Sequence, residues 1–294
     1  MTTIRSVLAT TDLSAPARHG AERAARLCAA IEANLHLIHV LGLTPLDRLR
    51  QLVASLPAEV EERVIEVART EVQELAATLQ RHHAVTPLVR VAPGALLAEI
   101  ARYAEEIDAG LIVLGARGAS FMRHLLLGST AERMVKRATR PMLVVKQAAH
   151  ENYRTLLVPV DFSAASLRAL HLARAVAPGA AIVLLHAFEV PFESKLQFAG
   201  VEESMIHAYR IAARQEAIRK MHELRDLAGL APHEVHLKVL HGDPTQHILE
   251  QEQEEDCDLI VVGKHGESML EDLLLGSVTR HVLAQSQCDV LMSV

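Results

Sequence analysis

The sequence predicts an α/β protein of two tandem modules, each a five-stranded parallel sheet flanked by helices. Three observations carry this. The chain has 294 residues, room for about two domains. The spacing Gly115-x2-Gly118-x9-Gly128-Ser129 returns as Gly263-x2-Gly266-x9-Gly276-Ser277, each glycine 148 positions after its counterpart. In both copies short apolar runs alternate with helical stretches, which implies right-handed βαβ crossovers and a parallel sheet.

The elements follow in order. IRSVLATTDLS (4–14) and YRTLLVPVDFS (153–163) open the halves as strands running into turns. Residues 15–32 and 164–177 place apolar side chains at helical spacing. LHLIHV (35–40) and AIVLLHA (181–187) are second strands. The stretches 42–57 and 188–202 are irregular, because Pro45, Pro57, Pro191 and Gly200 interrupt any helix. They suit either flaps over a pocket or plain connections. Charged helices follow at 58–82 and 203–228, then third strands in PLVRVAPG (87–94) and EVHLKVLHG (234–242). Helices at 95–107 and 244–255 lead to LIVLG (111–115) and LIVVG (259–263), fourth strands that run into the glycines. Helices at 129–139 and 277–286 precede the last strands, RPMLVVK (140–146) and CDVLMSV (288–294). The domains are 1–147 and 152–294, with QAAHEN (147–152) as linker.

Composition narrows the function. Half the residues are apolar and 3% aromatic, so Leu, Val, Ile and Ala build the cores, as sheets covered on both faces require. A net charge of −6 and scarce aromatics argue against nucleic acid, which needs a basic surface or stacking platforms. Cys28, Cys257 and Cys288 form no CxxC and suit a reducing cytosol. No apolar run reaches the roughly 18 residues of a membrane span. MTTIRSVLATTDLS lacks a signal peptide's pattern. A cytoplasmic protein is expected.

Glycines between a strand and a helix let backbone N–H groups approach a phosphate. The two loops therefore point to a duplicated nucleotide-binding module. Ser129 and Ser277 open helices, where a hydroxyl meets a phosphate or Mg²⁺, or simply caps the helix. Asp12 and Asp161 end their strands, suited to ribose, adenine or a water-held metal, or to capping through D-x-S. The first loop carries Arg117, Arg123 and His124; the second carries Lys264 and His265, then Glu267, Glu271 and Asp272. Arginine clamps phosphate and acids repel it, so if these side chains face the ligand the first half is expected to bind more tightly; if the spacers face solvent, the charges matter less.

Strand–Asp at the start, strand–G-x2-G-x9-G-[ST] later and the five-strand module resemble the universal stress protein family over nearly the whole chain. The resemblance implies a doubly wound fold with strand order 3-2-1-4-5. It also implies adenine nucleotide (ATP, or ADP or AMP, with Mg²⁺) at the carboxyl ends of the strands. By that resemblance Asp12 and Asp161 sit near the adenosine, and Thr10, Thr11, Pro159 and Val160 line the base pocket. Val40 and Ala187 contact adenine, the smaller Ala187 more loosely. Gly115, Gly118, Gly263 and Gly266, with Arg117 and His265 inside the loops, wrap ribose and α-phosphate. Gly128, Ser129 and Thr130, and Gly276, Ser277 and Val278, hold the phosphates. The family commonly dimerises through the last strand. The fused halves are thus expected to form an intramolecular pseudo-dimer, with a further homodimer left open.

Catalysis has little support: no GxxxxGK[ST] is present and no linear Ser-His-Asp signature. Paired histidines (His36 and His39, His82 and His83, His236 and His241) lack companion Cys or acids for a metal. His39 and His186, equivalent near the ends of the second strands, suit hydrogen-bonded edge residues. The leading function is a nucleotide-dependent stress-response regulator. A slow ATPase, or a scaffold that binds another metabolite or apolar ligand, are the alternatives.

Overall fold

The computed structural model describes residues 3–42, 58–116, 127–264 and 275–294. These fall into two compact units, the chain passing from one to the other between Asn152 and Tyr153. The helical and strand periods alternate through both.

In unit one β1 (Ser6–Thr10) has three fully covered central residues, which is why it reads as an unbroken apolar run. Helix α1 (Ala15–Ile31) starts where the Ser14 hydroxyl accepts from Ala17 N and a proline occupies the first turn. It ends on Glu32 in the left-handed region. Then come β2 (Asn34–Gly42), α2 (Ala58–His83), β3 (Leu88–Gly94), α3 (Leu96–Glu106), β4 (Leu111–Gly115), α4 (Ser129–Lys136) and β5 (Met142–Val145). All pairings within the unit are parallel: β1 lies between β2 and β4, with β3 beyond β2 and β5 beyond β4.

Unit two repeats this plan with β6 (Thr155–Pro159), α5 (Ala164–Val176) and β7 (Ala181–Phe188). A short helix α6 (Glu193–Phe198) precedes α7 (Glu203–Leu227), β8 (Val235–His241), α8 (Pro244–Glu254), β9 (Leu259–Gly263), α9 (Ser277–Gln285) and β10 (Asp289–Ser293). β6 lies between β7 and β9, with β8 and β10 outside them. In each unit the connections reverse direction between the first and fourth strands. Open parallel sheets hold ligands at the carboxyl ends of strands at such a point.

The 188–202 stretch is more ordered than its breakers suggest. Pro191 precedes α6, Phe192 enters it at φ +60° and Gly200 leaves it at φ +75°, so the breakers bound a helical turn instead of forbidding it. Its counterpart at 43–57 lies outside the described residues. Among the described residues no helix is long and apolar enough to cross a membrane.

Helix α1 lies close against β4. A Cβ on Gly20 would come within 3.1 Å of Gly115 N and 3.4 Å of Leu114 C, both rigid backbone. The matching residue of α5 is Ala169, so unit two has room for the methyl that unit one excludes. Gly20→Ala is expected to destabilise unit one by about 1–3 kcal/mol, the usual cost of overpacking, despite alanine's better helix propensity. Urea denaturation checks this; a more stable variant would show that helix and strand separate freely.

Candidate functional site

At the carboxyl end of each sheet lies a cavity. In unit one it measures about 230 Å³ and is lined by Thr10, Thr11 and Asp12, by Val40 and Gly115, and by Gly128, Ser129 and Thr130. In unit two it measures about 660 Å³ and is lined by Pro159, Val160 and Asp161, by Ala187 and Gly263, and by Gly276, Ser277 and Val278. Residues scattered over the sequence of each half thus share one wall. Arg117, Gly118, His265 and Gly266 lie outside the described residues, as do Arg123, His124, Glu267, Glu271 and Asp272, on which most of the expected asymmetry rested, while Lys264 is buried.

The first strand of each unit keeps its ladder for one residue beyond its end. Thr11 N donates to Ile38 O at 3.0 Å, and Val160 N to Leu185 O at 2.8 Å. The equivalent histidines tie the same point: His39 Nδ1 to Thr11 O, and His186 Nδ1 to Val160 O, both at 2.8 Å. A carbonyl only accepts, so Nδ1 carries a proton in each. Burial holds His186 below the ordinary histidine value, against the opposing pull of that hydrogen bond and of Asp161.

The chain then turns through Leu13 at φ +65° and Phe162 at φ +66°. Left-handed backbone costs a non-glycine residue roughly 1–2 kcal/mol. The neighbouring aspartates offset it. Asp12 Oδ1 accepts from Ser14 N at 3.1 Å and from the Ser14 hydroxyl at 2.5 Å. Asp161 Oδ1 accepts from Ser163 N at 3.0 Å and from the hydroxyls of Ser163 and Ser166 at 2.6 and 2.8 Å. Each carboxylate is therefore an anchor of its turn as well as part of the cavity wall. Ser166 is a partner that the D-x-S pattern alone does not reveal.

Beyond the fourth strand the glycine loops close in the same way. Gly128 N donates to Ala116 O at 2.7 Å, and Gly276 N to Lys264 O at 3.0 Å. Gly128 and Gly276 are the N-cap residues of α4 and α9, so Ser129 and Ser277 are first helical residues and not the caps that the sequence allowed. A glycine cap has no side chain, and neither helix start has a side-chain cap bond. Among the described residues the first-turn N–H groups and the positive end of each helix thus face the cavity with no side-chain cap. This is the arrangement that receives an anion.

The halves differ in detail. Thr279 Oγ1 donates to Gly263 O at 2.7 Å, pinning α9 to β9, where α4 has Ala131. Glu189 lines the second cavity where the first half has Gly42. Val278 replaces Thr130, one hydroxyl fewer near the helix start.

The model of the Universal stress protein family matches residues 3–146 and again 152–293. The chain belongs to the universal stress protein family. A universal stress protein of Thermus aquaticus is 34% identical over 142 residues, 48% of this chain and 98% of that protein. One from Mycolicibacterium smegmatis is 30% identical over 197 residues, 64% of this chain and 62% of its own length. The crystal structure of a universal stress protein from Archaeoglobus fulgidus shares the fold across 98% of this chain and 97% of its own, with a TM-score of 0.73 at 22% identity. This universal stress protein is therefore a tandem member, with one family module in each half.

Two histidines outside the cavities have local partners. His36 Nδ1 meets the Tyr103 hydroxyl at 3.0 Å, and His241 Nε2 meets Glu193 at 2.8 Å. All three cysteines are buried. Burial pushes the thiols of Cys28 and Cys257 up to about 12, so neither is a nucleophile at neutral pH.

Proposed function

We propose that this universal stress protein binds an adenine nucleotide in each half and acts as a nucleotide-dependent regulator of a stress response. One observation carries the reading. Both halves place a helix start without a side-chain cap at the reversal point of the sheet, beside the ends of the first and fourth strands. The phosphates would take the first-turn N–H groups of α4 and α9, with the hydroxyls of Ser129, Thr130 and Ser277 beside them. Thr10, Thr11 and Val40, or Pro159, Val160 and Ala187, would enclose the base. Mg²⁺ would arrive with the triphosphate and offset its charge.

The two sites are unequal. The second cavity, at about 660 Å³, lies in the usual range of ligand pockets, and the first, at about 230 Å³ over the described residues, is smaller. Glu189 opposes the preference for unit two, but an exposed charge is screened within about 10 Å at 0.1 M salt. Calorimetric titration of nucleotide-stripped protein with Mg-ATP is expected to show two sites per chain, the tighter in unit two. Absence of heat at millimolar ATP would remove the nucleotide reading. Steady phosphate release during the titration would instead make the protein a slow ATPase.

A further inference from the structure

Unit two holds a second cavity of about 570 Å³ beside the first, and Asp161, His186 and Glu189 line both. The opposite wall is the later half of α7, through Ala213, Ala217, Lys220, Leu224 and Leu227. Phe162 and Phe188 supply aromatic surface. The Phe162 ring centroid stands 4.2 Å from that of His186, and the Lys220 ammonium is 5.5 Å from it. The counterparts of Phe162, Phe188 and Glu189 in the first half are Leu13, Leu41 and Gly42. Two aromatic rings and a carboxylate are thus particular to the second half.

Charge selects the class of ligand. On α7, Glu216 and Glu223 are engaged by Arg219, and Lys220 stands 4.0 Å from Glu216. That wall is close to neutral. The strand wall carries two carboxylates: Asp161, fixed in its turn by Ser163 and Ser166, and the exposed Glu189. Burial holds His186 below the ordinary histidine value, which disfavours a competing positive charge on that wall.

We propose that this cavity binds an amphipathic organic cation, with an aryl or alkyl body against Phe162, Phe188 and the aliphatic face of α7, and a protonated amine answered by Asp161 and Glu189. Apolar burial supplies most of the affinity, and the rings favour a cation over a neutral group of the same shape. The cavity adjoins the nucleotide pocket and shares Asp161, His186 and Glu189 with it, but none of its residues belongs to the glycine loop or to α9.

The test titrates the full chain with 4-phenylbutylammonium, 4-phenylbutan-1-ol and 4-phenylbutyrate by calorimetry. The ammonium is expected to saturate one site per chain, with the alcohol and the carboxylate at least about tenfold weaker. Phe162→Leu installs the residue that Leu13 shows is tolerated at this backbone angle, and Glu189→Gln changes an exposed side chain. Each is expected to weaken the ammonium about five- to tenfold, with thermal unfolding unchanged. No ammonium binding at millimolar concentration, or equal binding by both variants, would overturn the proposal. So would tighter binding of the carboxylate, which would hand the cavity to Lys220.

Discussion

Aspartate at both Ser129 and Ser277 is expected to weaken Mg-ATP binding about a hundredfold while leaving the fold as stable as before, or slightly more so. The two effects have opposite signs for one physical reason. A carboxylate in the first turn of α4 or α9 sits where the N–H groups and the helix dipole favour negative charge. It should stabilise each helix by about 0.3–1 kcal/mol. The same carboxylate then repels the phosphates that the helix start would receive. Two unit charges about 6 Å apart at an effective dielectric of about 20 interact by roughly 2–3 kcal/mol, close to two decades in affinity. Asparagine at the same positions keeps the shape without the charge and should lose far less. Calorimetry and thermal unfolding on the same samples separate the cases. If affinity and stability fell together, the serines would be structural. If affinity held, the phosphates would lie elsewhere.

Much of the fold is legible in the sequence because it rests on local periodicity. The apolar runs 111–115 and 259–263 are covered on both faces, so they carry no alternation to misread, and the helices between them keep their apolar spacing. The glycine spacing located both helix starts, but not what the glycines do there. Gly128 and Gly276 have φ of −72° and −56°, open to any residue, so their role as caps lies in having no side chain rather than in backbone freedom. Conversely, the left-handed residues of the site are Leu13 and Phe162, which no propensity marks for that region. They are held by aspartate–serine contacts that become visible only when the turn is formed. Helix α6 shows the same limit. Glu193 pairs with Arg210 of α7 and with His241 at the end of β8, partners distant in sequence that stabilise a turn between two helix breakers.

Glu252→Ala is expected to destabilise unit two by about 2–3 kcal/mol, a large share of a domain's stability. Glu252 is 5% exposed and lies on the buried face of α8 beside Ile248, where helical periodicity calls for an apolar residue. Its carboxylate explains the exception. Oε1 accepts from Gln287 N and from Cys288 N, both at 2.7 Å, and so fixes the chain as it enters β10. Hydrogen bonds to a charged acceptor contribute more than neutral ones, about 1.5–3 kcal/mol each. The aligned residue of the first half, Ala104, has no side-chain acceptor to offer. There Arg140 does the matching work from the strand side, donating to Asp108 at 3.0 Å and to Ala109 O at 2.7 Å. Glu252→Gln retains an oxygen at the same place without its charge and should cost about 1 kcal/mol. Urea denaturation followed by circular dichroism orders the three proteins. Alanine and glutamine variants unfolding together with the parent would mean that strand pairing alone holds the entry to β10, and that the buried carboxylate contributes nothing to it.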